Sequence, residues 1–160
     1  SPSSVMLVMH EIVAGESPIC LAEVIRRLRE AARGGKAGSR IAPLLASYAS
    51  RLQVPGHAYE SEWFVPSGER AKPRDRSHLD ASFKKPDLIH DLEIMAAMGR
   101  IVEAEVVVPR DRLAKEALRL LGIGRVSQQA SQRLDLLVDE AIAKGWIEET
   151  SAGLMLPKNP

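Results

Sequence analysis

The sequence contains a single cysteine, Cys20, which excludes an internal disulfide and agrees with a reducing, cytoplasmic setting. No apolar run approaches the roughly 20 residues needed to span a bilayer. The opening Ser1-Pro2-Ser3-Ser4 has neither an initiator Met nor a signal-peptide pattern. A soluble piece of a longer polypeptide, with no membrane partner, is the expectation. Marked charge of either sign is also missing. The 22 Lys and Arg against 21 Asp and Glu leave a net +1. The isoelectric point of about 7.9 falls short of the strongly basic footprint of a free-standing DNA-binding domain. Four histidines, His10, His57, His78 and His90, stand far apart with no Cys or His neighbour at metal-ligand spacing, so no metal is expected.

What the chain does have is enough apolar residues, 45% against 27% charged, to build a packed core in 160 residues, as one ordinary domain or two small ones. Sliding the sequence by 89 positions decides between them. Met6, Met9, Ile12, Val13 and Glu16 then fall on Met95, Met98, Ile101, Val102 and Glu105. Ile19 meets Val108, Val24 meets Leu113, Leu45 meets Leu134 and Gly56 meets Gly145 without a gap. A further slip of two aligns Trp63-Phe64-Val65-Pro66 with Leu154-Met155-Leu156-Pro157. The chain therefore reads as a duplicated unit.

Each copy has the same order of elements. In the second, Leu92, Met95, Met98, Ile101 and Val102 have the spacing of a buried helical stripe over 92–103. Val106-Val107-Val108, β-branched and stopped by Pro109, reads as a short strand. Leu113, Ala117, Leu120 and Leu121 mark a second helix, and Gly122 and Gly124 a turn. A third helix is expected over 127–144, with Ala130, Leu134, Leu137, Val138, Ala141 and Ile142 inward and Gly145 as its left-handed stop. Trp146-Ile147-Glu148 and Gly153-Leu154-Met155-Leu156 predict a hairpin. In the first copy the expected helices cover 5–14, 21–32 and 39–52, with hairpin strands at Ala58-Tyr59 and Trp63-Phe64-Val65. Pro43 fits that third helix only near its start, where a missing N–H costs nothing. The resulting fold class is mainly α with small β-hairpins, arranged as tandem winged-helix (helix-turn-helix) repeats. The first copy spans 1–66 and the second 88–160, joined by a linker over 67–87 that is expected to be surface-bound and partly ordered through the apolar anchors Leu79 and Phe83. Net charge is +1, −2 and +2 for first copy, second copy and linker.

Chemistry is hard to find in this pattern. Glu103 and Glu105 close a helix, and only Glu105 has an acidic counterpart, Glu16, so they read as solvated helix-end charges rather than an acid–base pair. Cys20, between Ile19 and Leu21 and without a placed base, reads as a small core residue. Gly34-Gly35-Lys36-Ala37-Gly38-Ser39 lacks phosphate-loop spacing and follows a helix rather than a strand. Neither an enzyme nor a cofactor is expected.

Several short motifs resemble a known family. Glu16-Ser17-Pro18-Ile19, Ile25-Arg26-Arg27-Leu28, Ala37-Gly38-Ser39-Arg40-Ile41 and Trp63-Phe64-Val65-Pro66 are similar to the start of a bacterial domain of unknown function. That domain sits near the C-terminus of large proteins related to superfamily I DNA helicases, often behind a Vsr-like endonuclease domain. Arg74-Asp75-Arg76-Ser77 and Lys84-Lys85-Pro86-Asp87-Leu88-Ile89 are similar to its continuation. The resemblance implies a DNA-processing context, with helicase and nuclease domains elsewhere in the parent polypeptide, and supplies no catalytic residue.

Two functions are compatible with this pattern. In a winged helix the third helix can enter the major groove with its N-terminal residues toward the bases. The candidate DNA-binding residues are then Lys36, Ser39 and Arg40 in the first copy, and Arg125, Ser127, Gln128, Gln129, Gln132 and Arg133 in the second. Arg and Gln are side chains that read bases or grip phosphate, so a non-catalytic accessory module contacting duplex DNA is the leading expectation. The alternative is a protein-interaction or scaffolding module without direct DNA contact, docking through the winged-helix faces and Trp63 or Trp146; Asp135, Asp139 and Glu140, which follow on the same helix, count against DNA.

Overall fold

A computed structural model describes the backbone over residues 2–31, 37–49, 51–68 and 71–158, and side-chain surroundings over the same residues except 2 and 37–42. The chain divides into two compact units, Ser1–Ala71 and Lys72–Pro160. Both are mostly helical with a small antiparallel hairpin.

In the first unit the order is α1 (Pro2–Glu16), β1 (Ile19–Cys20), α2 (Leu21–Ala31), α3 (Ala37–Ala49), β2 (His57–Glu60) and β3 (Trp63–Pro66). The core follows the apolar spacing of the sequence. Met9 and Val13 from α1, Leu21 and Val24 from α2, and Leu45 and Ala49 from α3 close on Ile19 and Phe64. β1 pairs with β3, Ile19 opposite Phe64, so the short strand after α1 becomes the third strand of the hairpin sheet. The hairpin turns at Ser61 and Glu62, both with positive φ (49° and 65°). That conformation suits a two-residue turn with the twist of the flanking strands. α3 starts two residues earlier than the sequence predicts. Pro43 consequently lies inside the helix rather than near its start, where it lacks the N–H that would bond one turn back.

The second unit runs α4 (Asp91–Glu105), α5 (Arg110–Leu120), α6 (Gln128–Ala143), β4 (Glu148–Thr150) and β5 (Gly153–Met155). α4 packs on α5, α6 and β5. Met98, Val102, Leu113, Ala117, Leu134, Val138, Ala141 and Leu154 lie in one core. The predicted Val106–Val108 strand shrinks to one residue. Val106 caps α4 at φ 68° and is exposed, whereas Val108 exchanges two backbone hydrogen bonds with Leu154, at 3.0 and 2.8 Å. β4 begins at Glu148, so Trp146 and Ile147 precede it, and Ile147 joins the core.

Positions 89 apart share burial: Met9 with Met98, Val13 with Val102, Ile19 with Val108, Val24 with Leu113, Leu45 with Leu134 and Ala49 with Val138 are all buried. Gly56 and Gly145 share positive φ, 78° and 71°. The hairpins differ from the sequence alignment by one residue. Phe64 pairs with Ile19 and Leu154 with Val108, the equivalent positions after each unit's first helix, so their offset is 90 rather than 91. Truncating Leu45 or Leu134 to Ala, at 1% and 2% exposure, costs about 2 to 5 kcal/mol as buried leucines do. Denaturant unfolding reads this, and a loss under about 0.5 kcal/mol at both would contradict the core assignment.

The stretch read as a linker is not uniform. From Lys72 it belongs to the second unit. Arg76 is 3% exposed and forms a two-pronged pair with the fully buried Glu93 of α4, at 3.1 and 2.6 Å. The Arg74 N–H donates to the same carboxylate at 3.0 Å, and the Arg76 N–H donates to the Leu121 carbonyl at 3.0 Å. Single 3-10 turns at Ala81–Phe83 and Pro86–Leu88 lead into α4. A buried ion pair and backbone hydrogen bonds fasten this strap, and Leu79 and Phe83 along it are half-buried.

Candidate functional site

The sequence singles out the starts of α3 and α6. At α3, Lys36 lies outside the described residues; Ser39 and Arg40 fall in the first turn of the helix, with side chains outside the described set. At α6 the picture is complete. Ser127 caps the helix, its Oγ accepting from the Ala130 N–H at 3.1 Å, and Arg125, Gln128, Gln129 and Gln132 are exposed. Arg133 is committed elsewhere. Its guanidinium donates to Asp91 Oδ1 at 3.0 and 2.6 Å, to the Pro86 carbonyl at 2.8 Å and to the Ile89 carbonyl at 2.7 Å. Arg133 thus clasps the approach to α4, with four of its five N–H donors engaged.

The inward residues of α6, Ala130, Leu134, Leu137, Val138 and Ala141, fix which side is outward. The outward stripe runs Gln129, Gln132, Leu136, Glu140 and Ala143, flanked by Asp135 and Asp139. Leu136 at its centre is 69% exposed. Arg110, the first residue of α5, reaches across: Nε donates to Asp135 Oδ1 at 3.2 Å and Nη2 to Asp139 Oδ1 at 2.6 Å. Its Nη1 lies 3.7 Å from Glu149 of the hairpin. Bonding to Asp139 chiefly, and to Asp135, raises the guanidinium pKa further above its ordinary value. One cation therefore serves three carboxylates, and the surface stays acidic. Lys144, beyond the helix end, leans toward Glu140 at 3.9 Å and over the Trp146 ring at 5.7 Å.

A cleft of about 300 Å³ opens beside the start of α6, lined by Lys85, Asp87, Ser127, Gln129 and Arg133 among others. Its charges nearly balance. Among the described residues no cluster of His, Cys, Asp or Glu has the makings of a metal site. Cys20 is buried and burial pushes its thiol pKa up, away from reactivity. His57 Nδ1 lies 3.0 Å from the Pro55 carbonyl and Nε2 lies 2.7 Å from Ser17 Oγ. With the Nδ1 proton on that carbonyl, the ring ties the end of α1 to the start of β2. No described helix is long and apolar enough to cross a membrane.

His90 is the N-cap of α4, Nδ1 accepting from the Leu92 N–H at 3.0 Å. Burial pushes its imidazole down, with Arg133 adding to this and Asp91, Glu93 and Glu140 opposing it. A protonated Nδ1 cannot accept, so folding favours the neutral ring. The stability this provides is full above the unfolded value of about 6.5 and is lost as pH falls through the lower folded value. His90→Asn keeps an acceptor but does not titrate. Urea unfolding of the wild type should lose about 1 kcal/mol, the worth of a cap, across that acid window. A loss of the same size in the variant would remove His90 from the explanation.

Reasoning from sequence missed Arg110, Glu93 and Arg76. The i, i+4 spacing of Asp135 and Asp139 on α6 was a signal for a shared cation, but it did not say which Arg would reach them. Set against known proteins, residues 2–42 match the model of a family described as "Protein of unknown function (DUF3320)". No curated protein and no solved structure matches the chain.

Proposed function

We propose that the chain is a non-catalytic docking module built from two winged-helix units descended from one duplicated ancestor, whose second unit meets a protein partner through α6. The winged-helix reading is supported by the order helix, short strand, helix, helix and hairpin in the first unit, and by the same order in the second with the single bridged residue Val108 in the strand's place; Ile19 and Val108 each pair with the last hairpin strand. The docking reading is carried by one observation: the outward stripe of α6 is apolar at Leu136 and acidic around it, while Arg133 is spent on Asp91 and two carbonyls. A surface of that sign repels phosphate and suits a protein.

Direct contact with duplex DNA is the second reading. It is favoured by the exposed Arg125, Gln128, Gln129 and Gln132 at the start of α6 and by the family resemblance to helicase-associated domains. Anisotropy of a labelled duplex with the full chain, at low and moderate salt, separates the two. The docking reading expects any DNA affinity to survive replacement of those four residues by Ala. If that change weakens binding several-fold for unrelated sequences and flattens its salt dependence, as lost phosphate contacts do, DNA contact takes the lead.

A further inference from the structure

We infer that the α6 surface takes a basic, leucine-bearing segment of a partner protein, and that Arg110 is an internal stand-in for that partner's cation. The inference rests on the docking reading and adds the partner's chemistry. Its observation is the unpartnered outward face of α6, centred on Leu136 at 69% exposure. Around it stand four carboxylates, whose side chains in Asp135, Asp139, Glu140 and Glu149 are 69%, 61%, 48% and 54% exposed. A leucine this exposed, with acids beside it on the same helix, fits a segment offering one apolar side chain and flanking Lys or Arg.

Arg110 makes the argument specific. Its single guanidinium sits among Asp135, Asp139 and Glu149 at 3.2, 2.6 and 3.7 Å, occupying the position an incoming cation would seek. It keeps like charges from repelling one another, and it competes with the ligand. Removing it should tighten binding of a basic segment, whereas loss of a residue that only props up a binding surface would weaken it.

The test uses the full chain and two fluorescent synthetic helical peptides, one of Lys and Leu at heptad spacing, the other with Glu in place of Lys. The Lys peptide should bind, less tightly as salt rises, and the Glu peptide should not. Asp135→Asn with Asp139→Asn should weaken the Lys peptide about fivefold, the worth of two exposed ion pairs. Leu136→Ala removes three carbons, each worth about 0.8 kcal/mol or roughly fourfold where the partner buries it, and should weaken it about tenfold or more. Arg110→Ala, and Arg110→Gln should the shorter side chain unsettle α5, should tighten it about threefold. Circular dichroism melting checks that each variant is folded. Equal binding of both peptides, binding of neither, or weaker binding when Arg110 is removed from a folded chain overturns the inference. None of these results decides between protein and DNA, which the duplex titration does independently.

Discussion

Replacing Glu93 with Ala should cost about 3 to 5 kcal/mol, the largest loss expected of any single charged residue here, because it strands a buried guanidinium. Arg76 is 3% exposed and its second acceptor is the Arg74 carbonyl at 2.9 Å. The same carboxylate also holds the Arg74 N–H. Removing Glu93 thus leaves one buried charge unpaired and one backbone donor unsatisfied. Replacing both partners, Arg76→Met with Glu93→Leu, removes the buried Arg76–Glu93 pair together, leaving only the Arg74 N–H and Nε without that carboxylate, and should cost less than Glu93→Ala alone. Urea unfolding of the two variants reads the difference. Equal losses would mean that the strap over residues 72–79 is held by something other than this pair.

Gly122→Ala should be nearly as damaging, for a different reason. Gly122 has φ +85°, and a Cβ there would lie 2.3 Å from the Ser77 backbone nitrogen and 2.7 Å from the Arg76 carbonyl carbon. A left-handed residue with a side chain costs roughly 1 to 2 kcal/mol by itself, and here the neighbour that must move is backbone. A loss above about 2 kcal/mol is expected, since displacing the strap disturbs the buried pair as well. Gly145 supplies the control. At φ +71° with nothing within 4 Å of an added Cβ, it should lose only the conformational cost of about 1 to 2 kcal/mol. Similar losses at the two glycines would contradict the close approach of the strap to the turn after α5.

These effects explain how much of the molecule its sequence reveals. Helices and most of their inward faces are legible because burial follows a 3.6-residue period, and Leu45, Val102, Leu134 and Val138 are all buried where that period puts them, whereas Leu44 and Leu120, apolar at the same spacing, are 55% and 38% exposed. Glycine stops are legible too, as at Gly145. The Ser61-Glu62 turn is not, because neither residue is Gly or Asn, although both adopt positive φ. Part of its support comes from outside the hairpin: the Glu62 carbonyl accepts from the Leu21 N–H at 2.8 Å. The ion pair that fastens the strap was invisible for the related reason that it is polar. A charged stretch with two prolines has the composition of a linker whether or not one of its arginines finds a buried glutamate 17 positions on.

The candidate site divides the same way. That the start of α6 would be exposed, capped by Ser127 and rich in Gln could be read from periodicity and capping rules. That Arg133 would be consumed by Asp91 and the carbonyls of residues 86 and 89, and that Arg110 would cross to Asp135 and Asp139, depends on tertiary distances no local pattern encodes. These two arginines shift the balance from phosphate toward protein. One leaves the list of available cations, and the other exposes how acidic the surface is.

The most direct test is to follow the backbone amide signals of the full chain by NMR while adding duplex DNA at low ionic strength, and separately the Lys-Leu peptide. A docking module with a basic partner should shift Leu136, Asp139 and Glu140 with the peptide and leave α6 unmoved by DNA. Saturable, salt-sensitive shifts at Arg125, Gln128, Gln129 and Gln132 with DNA, and none at Leu136 with the peptide, would contradict it.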